Sequence, residues 1–295
     1  MISILIPVFQ YEITTLVATL HAQALALNID FEIICFDDGS KIQAIVNQNE
    51  KINALSNCRY VLNSENIGRT AARNALAQMA KFENLLFLDA DVLPVNEDFL
   101  AFYLNALNQP FDLIVGGLLY RKEDIKQEVS LRWHYGNQRE TKAASERQKK
   151  PYQHVLSCNF LVKKDFFLQL SLPTTHLYGM DNYFSYLLFK KNAKVNHLEN
   201  PVFHLGLENN KLFLEKSLEA VQNRKKWMET TSDFETISPL ILSYKKIKKY
   251  RMEAVVRVLF NCFSPILEKQ CMKKQPNLLA FDLYRLGYLC KIANK

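Results

Sequence analysis

The sequence has 295 residues, of which 48% are hydrophobic and 23% charged, a composition typical of a folded globular protein. Its six cysteines include no Cys-x-x-Cys pair, which argues against both a zinc cluster and a disulfide framework. No apolar run approaches the roughly 18 residues of a membrane-spanning helix, and residues 2–7 begin a strand without the basic region of a signal peptide. We therefore expect a reduced, cytoplasmic protein.

The net charge of +7 is concentrated towards the C-terminus. From residue 241 onward the chain has 12 Lys or Arg and 3 Asp or Glu, whereas residues 1–240 have 25 and 27. Basic groups beside mixed apolar helices fit contact with the anionic inner face of a membrane. A helical extension packed on the body, or on a second subunit, explains the pattern equally well. We expect no nucleic-acid binding, because no recognised module accompanies the charge.

The predicted elements of the first hundred residues alternate between short apolar strands and helices. In chain order they are a strand at 1–9, a helix at 16–27, a strand at 31–36, a helix at 42–55, a strand at 58–62, a helix at 69–81 and a strand at 85–88. This alternation predicts an α/β protein with a mostly parallel, doubly wound sheet and helices on both faces.

The predicted elements after residue 95 are less regular. They are a helix at 96–110, a strand at 111–117 that ends in paired glycines, a partly mobile loop or exposed helices at 122–150, a strand at 157–162, a helix from Asp165, an edge strand at 193–198 and a long helix at 208–229. Residues 230–238 break that helix, so we expect a body at 1–229 and a basic, mostly helical extension at 230–295.

Carboxylates follow two of the predicted strands directly. Asp37 and Asp38 end the second strand, and Asp89 and Asp91 follow the fourth. Side chains alternate along a strand, so Asp89 and Asp91 point the same way. Two like charges at a buried strand end are tolerable where a divalent cation or donor groups lie between them. A surface turn with two solvated aspartates is the alternative.

Four motifs in the right order resemble the nucleotide-diphospho-sugar transferase (GT-A) fold of family 2 glycosyltransferases of the bacterial surface-glycan type. They are residues 4–8 (ILIPV), residues 37–40 (DDGS), residues 65–68 (ENIG) with Ala72-Arg73-Asn74, and residues 88–91 (LDAD). The resemblance covers about three-quarters of the chain and leaves the tail uncovered. A dinucleotide-binding dehydrogenase would need Gly-x-Gly-x-x-Gly after the first strand, where Pro7 to Glu12 stand instead.

The resemblance implies a nucleotide site at the strand ends. Its residues would be Pro7, Val8, Phe9, Asp37, Asp38, Arg69, Arg73, Asp89 and Ala90. Asp37 would accept a hydrogen bond from the imide N–H of uracil, which favours a UDP-sugar. Asp38 is either part of this site or a plain turn residue. Arg69, our first choice for the diphosphate, and Arg73 stand near a helix start; solvated arginines or an ion pair to Glu65 are the alternatives.

The resemblance also implies a site for Mn²⁺ or Mg²⁺. Asp91 would be the direct ligand, with Asp89 at the ribose, a bound water or the metal, and His204 as a third ligand. A core histidine is the alternative for His204. The metal would neutralise charge on the departing nucleoside diphosphate.

Asp181 matches the base of inverting family members, which takes the proton of the attacking acceptor hydroxyl. The family pattern Gly-x-Glu-Asp is altered here, because Met180 replaces the glutamate. A simple helix cap is the alternative for Asp181. Residues expected at the acceptor or sugar are Gly116, Gly117, Asn159 and Met180. Trp133, His134 and Tyr135 could touch the acceptor or form a locally packed anchor.

The resemblance therefore implies an inverting, metal-assisted glycosyltransferase of polysaccharide biosynthesis. It would use a nucleotide-sugar donor, and the acceptor would be a hydroxyl of a glycan, perhaps a lipid-linked one. The alternatives are a catalytically inactive relative that binds a sugar nucleotide or glycan, and a nucleotidyltransferase. A nucleotidyltransferase would want a glycine-rich, basic loop after the first strand, which the sequence lacks.

Overall fold

The computed structural model describes residues 1–173 and 177–293 and shows a mixed α/β fold. Its main sheet has the strand order β3-β2-β1-β4-β8-β6-β9. These strands are β1 (Ile2–Val8), β2 (Phe31–Asp37), β3 (Cys58–Leu62), β4 (Asn84–Leu88), β6 (Leu113–Val115), β8 (Asn159–Lys163) and β9 (Val195–His197). Only β8 runs antiparallel to its neighbours in this sheet, so the predicted mostly parallel sheet is confirmed.

A smaller sheet is formed by β5 (Val92–Pro94), β7 (Leu118–Leu119) and β10 (Val202–His204), in the order β5-β10-β7. Strand β10 pairs antiparallel with β5, and His204 lies opposite Val92 in this register. This pairing matters for the site, because it places His204 beside the residue that precedes Val92, which is Asp91.

Helices cover both faces of the main sheet. Those of the body are α1 (Thr14–Ala26), α2 (Gln43–Glu50), α3 (Arg69–Met79), α4 (Phe99–Ala106), α5 (Ser130–Tyr135), α6 (Ala144–Gln148), α7 (Lys164–Leu168) and α8 (Met180–Lys190). One apolar core lies on the α1 and α4 side and includes Leu20, Leu86 and Tyr103; the other lies on the α3 and α7 side and includes Leu76, Phe87 and Phe167.

Residues 122–150 match the predicted exposed helices in part, because many of them are exposed, but the segment is anchored on the body. They form short helical turns together with α5 and α6, and Leu131, Trp133 and Arg147 are buried. Arg147 explains why this segment has a fixed structure, because its guanidinium donates to the carbonyl oxygens of Val115, Gly116 and Leu198 at the sheet edge. A buried cation that satisfies its donors on backbone carbonyls fixes a segment despite a polar sequence.

The C-terminal region is helical, in agreement with the prediction. It comprises α9 (Asn210–Thr230), α10 (Pro239–Lys249), α11 (Glu253–Cys271) and α12 (Leu278–Ile292). These helices share a core with the body, because Tyr186 of α8 packs in one cluster with Val221, Phe234 and Leu289. No helix in residues 1–173 and 177–293 is long and apolar enough to cross a membrane.

Candidate active site

The candidate site lies at one edge of the main sheet, where β1, β2 and β4 end and β8 begins. Asp89 follows the last residue of β4, Leu88, which pairs with Asn159 of the antiparallel β8. The backbone N–H of Asp89 donates to the carbonyl of Cys158 (3.1 Å). Ser157 therefore lies beside the predicted acidic motif, although 68 residues separate it from Asp89 in the sequence.

The wall of the cleft begins at the end of β1. Pro7 and Val8 are buried, whereas Phe9 is 51% exposed and free to contact a ligand. Gln10, in the left-handed region, donates its N–H to Ser40 Oγ (2.7 Å) and so ties this turn to the end of β2.

Asp37 and Asp38 are both buried and both accept hydrogen bonds from the protein. Asp37 Oδ1 accepts from the Ser40 N–H (2.8 Å), and its Oδ2 accepts from the hydroxyl of Tyr60. Asp38 accepts from the N–H groups of Ile67 (2.7 Å) and Gly68 (2.8 Å). Asp37 therefore holds the turn at residues 37–40 from the interior of the protein, and Asp38 links this turn to the start of α3.

Arg73 connects the two parts of the site. Its Nη2 donates to Asp89 Oδ1 (2.7 Å) and to the Ser157 carbonyl (2.6 Å), and its Nη1 donates to Ser157 Oγ (3.0 Å). The same Ser157 hydroxyl donates to Asp181 Oδ1 (2.5 Å). Arg73 itself is buried, so its first role in this structure is to hold carboxylates rather than to face a diphosphate.

Arg69 is the accessible arginine of the pair. Its side chain is 60% exposed, and its Nη2 lies 3.7 Å from Asp89 Oδ2. The charge of Asp89, followed by those of Asp181 and Asp91, raises the pKa of Arg69. The charges of three carboxylates thus act on one exposed guanidinium at the start of α3, a position that also favours anions through the helix dipole.

Asp89 is held as a carboxylate by these arginines. Burial alone would raise its pKa, but Arg69 and Arg73 lower it below the usual value. With one oxygen bonded to Arg73, Asp89 is less available than Asp91 to bind a metal. Ala90, between them, is partly exposed in the cleft.

Asp91 and His204 form the second pair of polar groups. His204 Nε2 lies 3.7 Å from Asp91 Oδ2, too far for a hydrogen bond, and the buried His204 Nδ1 has no partner in the described part of the chain. Burial lowers the pKa of His204, so the imidazole is neutral at neutral pH and can act as a ligand. The described residues contain no group of three or more potential metal ligands.

An ion pair between Arg132 and Glu140 lies beside Tyr120, whose ring is close to that of His204. The ring of Tyr120 lies 5.7 Å from that of His204, and the Tyr120 hydroxyl donates to Glu140. Arg132 Nη1 donates to the same Glu140 oxygen (2.9 Å). Burial would raise the pKa of Glu140, but Arg132 and the Tyr120 hydrogen bond hold it below its usual value.

Asp181 lies in the first turn of α8, after Gly179 in the left-handed region. Gly179 is the N-cap residue of this helix, and the Asp181 carboxylate accepts a hydrogen bond from the Ser157 hydroxyl. A cavity of about 20 Å³, room for about one water molecule, lies beside Arg73, Ser157 and Asp181, and Met180 also lines it. Asp181 is therefore linked to Asp89 through Ser157 and Arg73, and the charges of both Asp181 and Asp91 raise the pKa of Arg69.

Gly116, Gly117 and Asn159 differ from the expected acceptor or sugar position. Asn159 is fully buried, where it accepts from the Tyr103 hydroxyl (2.6 Å) and donates to the Gly117 carbonyl (3.0 Å). A Cβ added at Gly116 would meet Asn159 at 2.4 Å, and one at Gly117 would meet Arg147 at 2.8 Å. The two glycines are needed for close internal packing at the sheet edge.

Trp133 likewise belongs to the interior. It is buried, and its indole N–H donates to the carbonyl of Arg121 (2.7 Å). Of the two interpretations of residues 133–135, contact with the acceptor or a locally packed anchor, the structure favours the packed anchor.

Three further residues lie at the site; Ser157 and Tyr11 had no signal in the sequence, whereas Gly206 belongs to the His-x-Gly pattern around His204. Ser157 and Gly206 reach it only through β8 and β10, and the pKa of Tyr11 is raised by burial and then by the charge of Asp91. A Cβ at Gly206 would lie 2.0 Å from Asp91 Oδ2, so the glycine makes room for the carboxylate. The Leu205 N–H also donates to the Asp91 carbonyl (2.8 Å).

A further arginine lies on the Asp181 side of the cleft. The buried Nε of Arg224 on α9 has no hydrogen-bond partner within residues 1–173 and 177–293. Burial, and then the charge of Arg285, lowers the pKa of Arg224 to about 10, while Tyr135, Tyr178 and Asp181 oppose this shift. Positive charge is therefore available beside the predicted base.

In an open α/β sheet, ligands bind beyond the carboxyl ends of the strands, which is where these carboxylates and arginines lie. The family is shown directly by sequence: the model of glycosyl transferase family 2 matches residues 3–170, and the chain belongs to that family. No curated protein matches the sequence.

Solved structures share the fold at low sequence identity. The mannosyltransferase PcManGT from Pyrobaculum calidifontis, in complex with GDP-Man and Mn²⁺, superposes with a TM-score of 0.55 at 15% identity, over 77% of this chain and 64% of that one. TarS 1–349 from S. aureus gives 0.50 at 16% identity, over 97% and 90%. GalNAc-T7 with UDP, GalNAc and Mn²⁺ gives 0.50 at 16% identity, over 70% and 43%. The fold is therefore the GT-A fold.

Proposed function

We propose that the protein is an inverting glycosyltransferase that moves a sugar from a nucleoside-diphosphate sugar to a hydroxyl of a glycan, free or lipid-linked. The observation that carries this proposal is the continuous set of contacts Asp89–Arg73–Ser157–Asp181. In this set Arg73 holds Asp89 directly and holds the predicted base, Asp181, through Ser157. Such a cleft is suited to hold a donor and an acceptor at the same time.

In the proposed reaction, Asp181 accepts the proton of the acceptor hydroxyl while that oxygen attacks the anomeric carbon. The bond from this carbon to the diphosphate oxygen breaks on the opposite face, and the nucleoside diphosphate leaves with the electron pair. The hydrogen bond from Ser157 occupies one Asp181 oxygen and leaves the other for the acceptor. Arg69, exposed at the start of α3, is placed to bind the diphosphate.

The residues present fit a divalent cation. A carboxylate oxygen of Asp91 and a neutral nitrogen of His204 lie 3.7 Å apart without a hydrogen bond; the carboxylate suits Mn²⁺ or Mg²⁺, and the imidazole nitrogen favours Mn²⁺ of the two. The bound metal would stabilise charge on the leaving diphosphate. We place Asp91 and His204 as its ligands and Asp89 outside it, because Arg73 holds Asp89.

The identity of the nucleotide rests on the turn around Asp37. The family resemblance favours uridine through Asp37; in the structure both oxygens of that buried carboxylate accept from Ser40 and Tyr60, so the preference for uridine rests on the resemblance alone. UDP-sugars are therefore the first donors to test. GDP-sugars are the second, since GDP-Man is bound in one structure of the same fold.

The test compares two variants in binding and in turnover. We expect Asp91→Ala to lose Mn²⁺-dependent UDP binding in isothermal titration. Asp181→Asn should keep that binding and lose about 100-fold or more of the transfer rate, the contribution usual for a general base. Asp165→Asn is the matched control, because it also removes a carboxylate from the first turn of a helix, α7, and lies on the surface.

A non-catalytic nucleotide-sugar or glycan-binding protein is the second candidate, and Met180 in place of glutamate is the observation that favours it. It predicts UDP binding without turnover of any donor. Donor hydrolysis that is equal in wild type and Asp181→Asn would also overturn the proposed role of Asp181.

A further inference from the structure

Helix α11 has two apolar faces, of which only one is covered. On the inner face Phe260 is buried against Gly287 and Tyr284 of α12, with 5.2 Å between the aromatic ring centroids. The outer face carries six large apolar side chains between 48% and 59% exposed, which we name the outer stripe: Met252, Val255, Val258, Leu259, Phe263 and Ile266.

The spacing shows that the outer stripe is one continuous surface. Its residues follow each other at intervals of three, one or four along α11 and its N-cap, so they lie on one side of the helix. The acidic residues of α11, Glu253 and Glu268, fall outside this side at 100° per residue. A patch of this kind on a folded protein marks an interaction site.

The charges around the outer stripe are almost all positive. Exposed cations stand at both ends, namely Lys246, Lys248, Lys249, Arg251, Lys269, Lys273 and Lys274. None of these forms an ion pair with the residues that the structure describes. Tyr250, 71% exposed, stands between the basic end of α10 and the stripe.

We propose that the outer stripe and its flanking cations bind the surface of an anionic lipid bilayer, with α11 lying in the plane of the interface. Apolar side chains between two basic groups match acyl chains beneath anionic headgroups, whereas a protein partner would need matching acidic groups around an apolar groove. Arg257 and Pro265 within α11 suit a helix that lies on a membrane. Lipid binding of this kind is independent of glycosyl transfer, so the two proposals can fail separately.

The experiment is co-sedimentation of the full chain with vesicles of phosphatidylcholine alone or with 30% phosphatidylglycerol. We expect binding to the anionic vesicles about tenfold or more stronger than to the neutral ones, and weaker binding in 0.5 M salt. Val258→Asp and Phe263→Asp should each reduce binding about tenfold. Leu25→Asp, at a leucine of α1 that is 53% exposed, is the control and should bind like wild type.

Far-UV circular dichroism and thermal unfolding of each variant show that loss of binding is not loss of fold. A charge-swap variant, Lys248→Glu with Lys249→Glu, provides a second route, since it leaves the apolar residues in place. Equal binding to both vesicle types, or unchanged binding of the stripe variants, would overturn the proposal. So would a dimer in light scattering that Val258→Asp dissociates, because the occupant would then be a second copy of the chain.

Discussion

Ser157 is the residue through which Arg73 acts on the predicted base. Its hydroxyl accepts from Arg73 and donates to Asp181, so the orientation of the Asp181 carboxylate depends on a group outside α8. Ser157→Ala should lower kcat about tenfold, the value of one hydrogen bond of about 1.4 kcal/mol. Nucleotide binding should be unchanged in titration with UDP and Mn²⁺.

Ser157→Thr is the matched control, because it keeps the hydroxyl and should restore most of kcat. If Ser157→Ala and Ser157→Thr lowered kcat equally, the effect would come from packing at the start of β8 and not from the hydrogen bond to Asp181.

Gly206 is the residue that makes room for Asp91. The added methyl of Gly206→Ala would lie 2.0 Å from Asp91 Oδ2, so the carboxylate must move away from His204. We expect the affinity for UDP in the presence of Mn²⁺ to fall about tenfold or more, in the range for a disturbed metal site. Thermal unfolding without metal serves as the control. Unchanged Mn²⁺-dependent binding would show that Asp91 does not contribute to the metal site.

At the scale of elements, the edge strand β9 carries a pH-sensitive contact. His197 Nδ1 accepts from Arg147 Nη1 (2.8 Å) and its Nε2 donates to the Pro151 carbonyl (3.0 Å), so only the neutral ring fits. Burial, with Arg147 adding to it, lowers the pKa of His197 to about 4. The unfolded chain, with a histidine pKa near 6.5, then binds more protons between these values.

The free energy of unfolding should therefore fall as the pH drops from about 6.5 towards 4. His197 alone accounts for about 2 kcal/mol of loss between pH 7 and pH 5. Urea unfolding at the two pH values measures it. His197→Gln keeps an acceptor for Arg147 and a donor for Pro151, so it should reduce the pH dependence by that amount; an unchanged dependence would contradict the assignment.

At the scale of the whole molecule, the C-terminal helices belong to the fold of the body. Phe281 and Leu289 of α12 are fully buried, and the Ser130 hydroxyl donates to the Lys273 carbonyl (2.9 Å). We expect residues 1–229 alone to lack a cooperative transition, because truncation exposes the apolar cluster around Tyr186 and Val221. The full chain should unfold in one step by circular dichroism. A truncated chain that unfolds cooperatively would show that the predicted boundary at 229 separates two independent units.

The alternation of strands and helices could be predicted from the sequence because it has a local pattern, and the roles of Asp89, Asp91 and Asp181 stay predictions that rest on local motifs. The place of Ser157 could not be predicted, since strand pairing across a long stretch of chain brings it to the cleft. The sequence also does not predict that residues 122–150 are well ordered, because their order depends on one buried arginine, Arg147, among many exposed charges. Asn159 shows the opposite case: the sequence predicts a ligand contact for a polar residue at a strand end, whereas its hydrogen-bond partners are internal.

Arg73 has a consequence for how the two substrates communicate. Since one guanidinium contacts Asp89 directly and Asp181 through Ser157, a shift in its position would alter both sides of the cleft together. Changes to Asp89 and Ser157 should accordingly be non-additive, with a coupling of about 0.5–3 kcal/mol in a double-mutant cycle. Binding of a donor would therefore change the position of the base, Asp181, before any acceptor is bound.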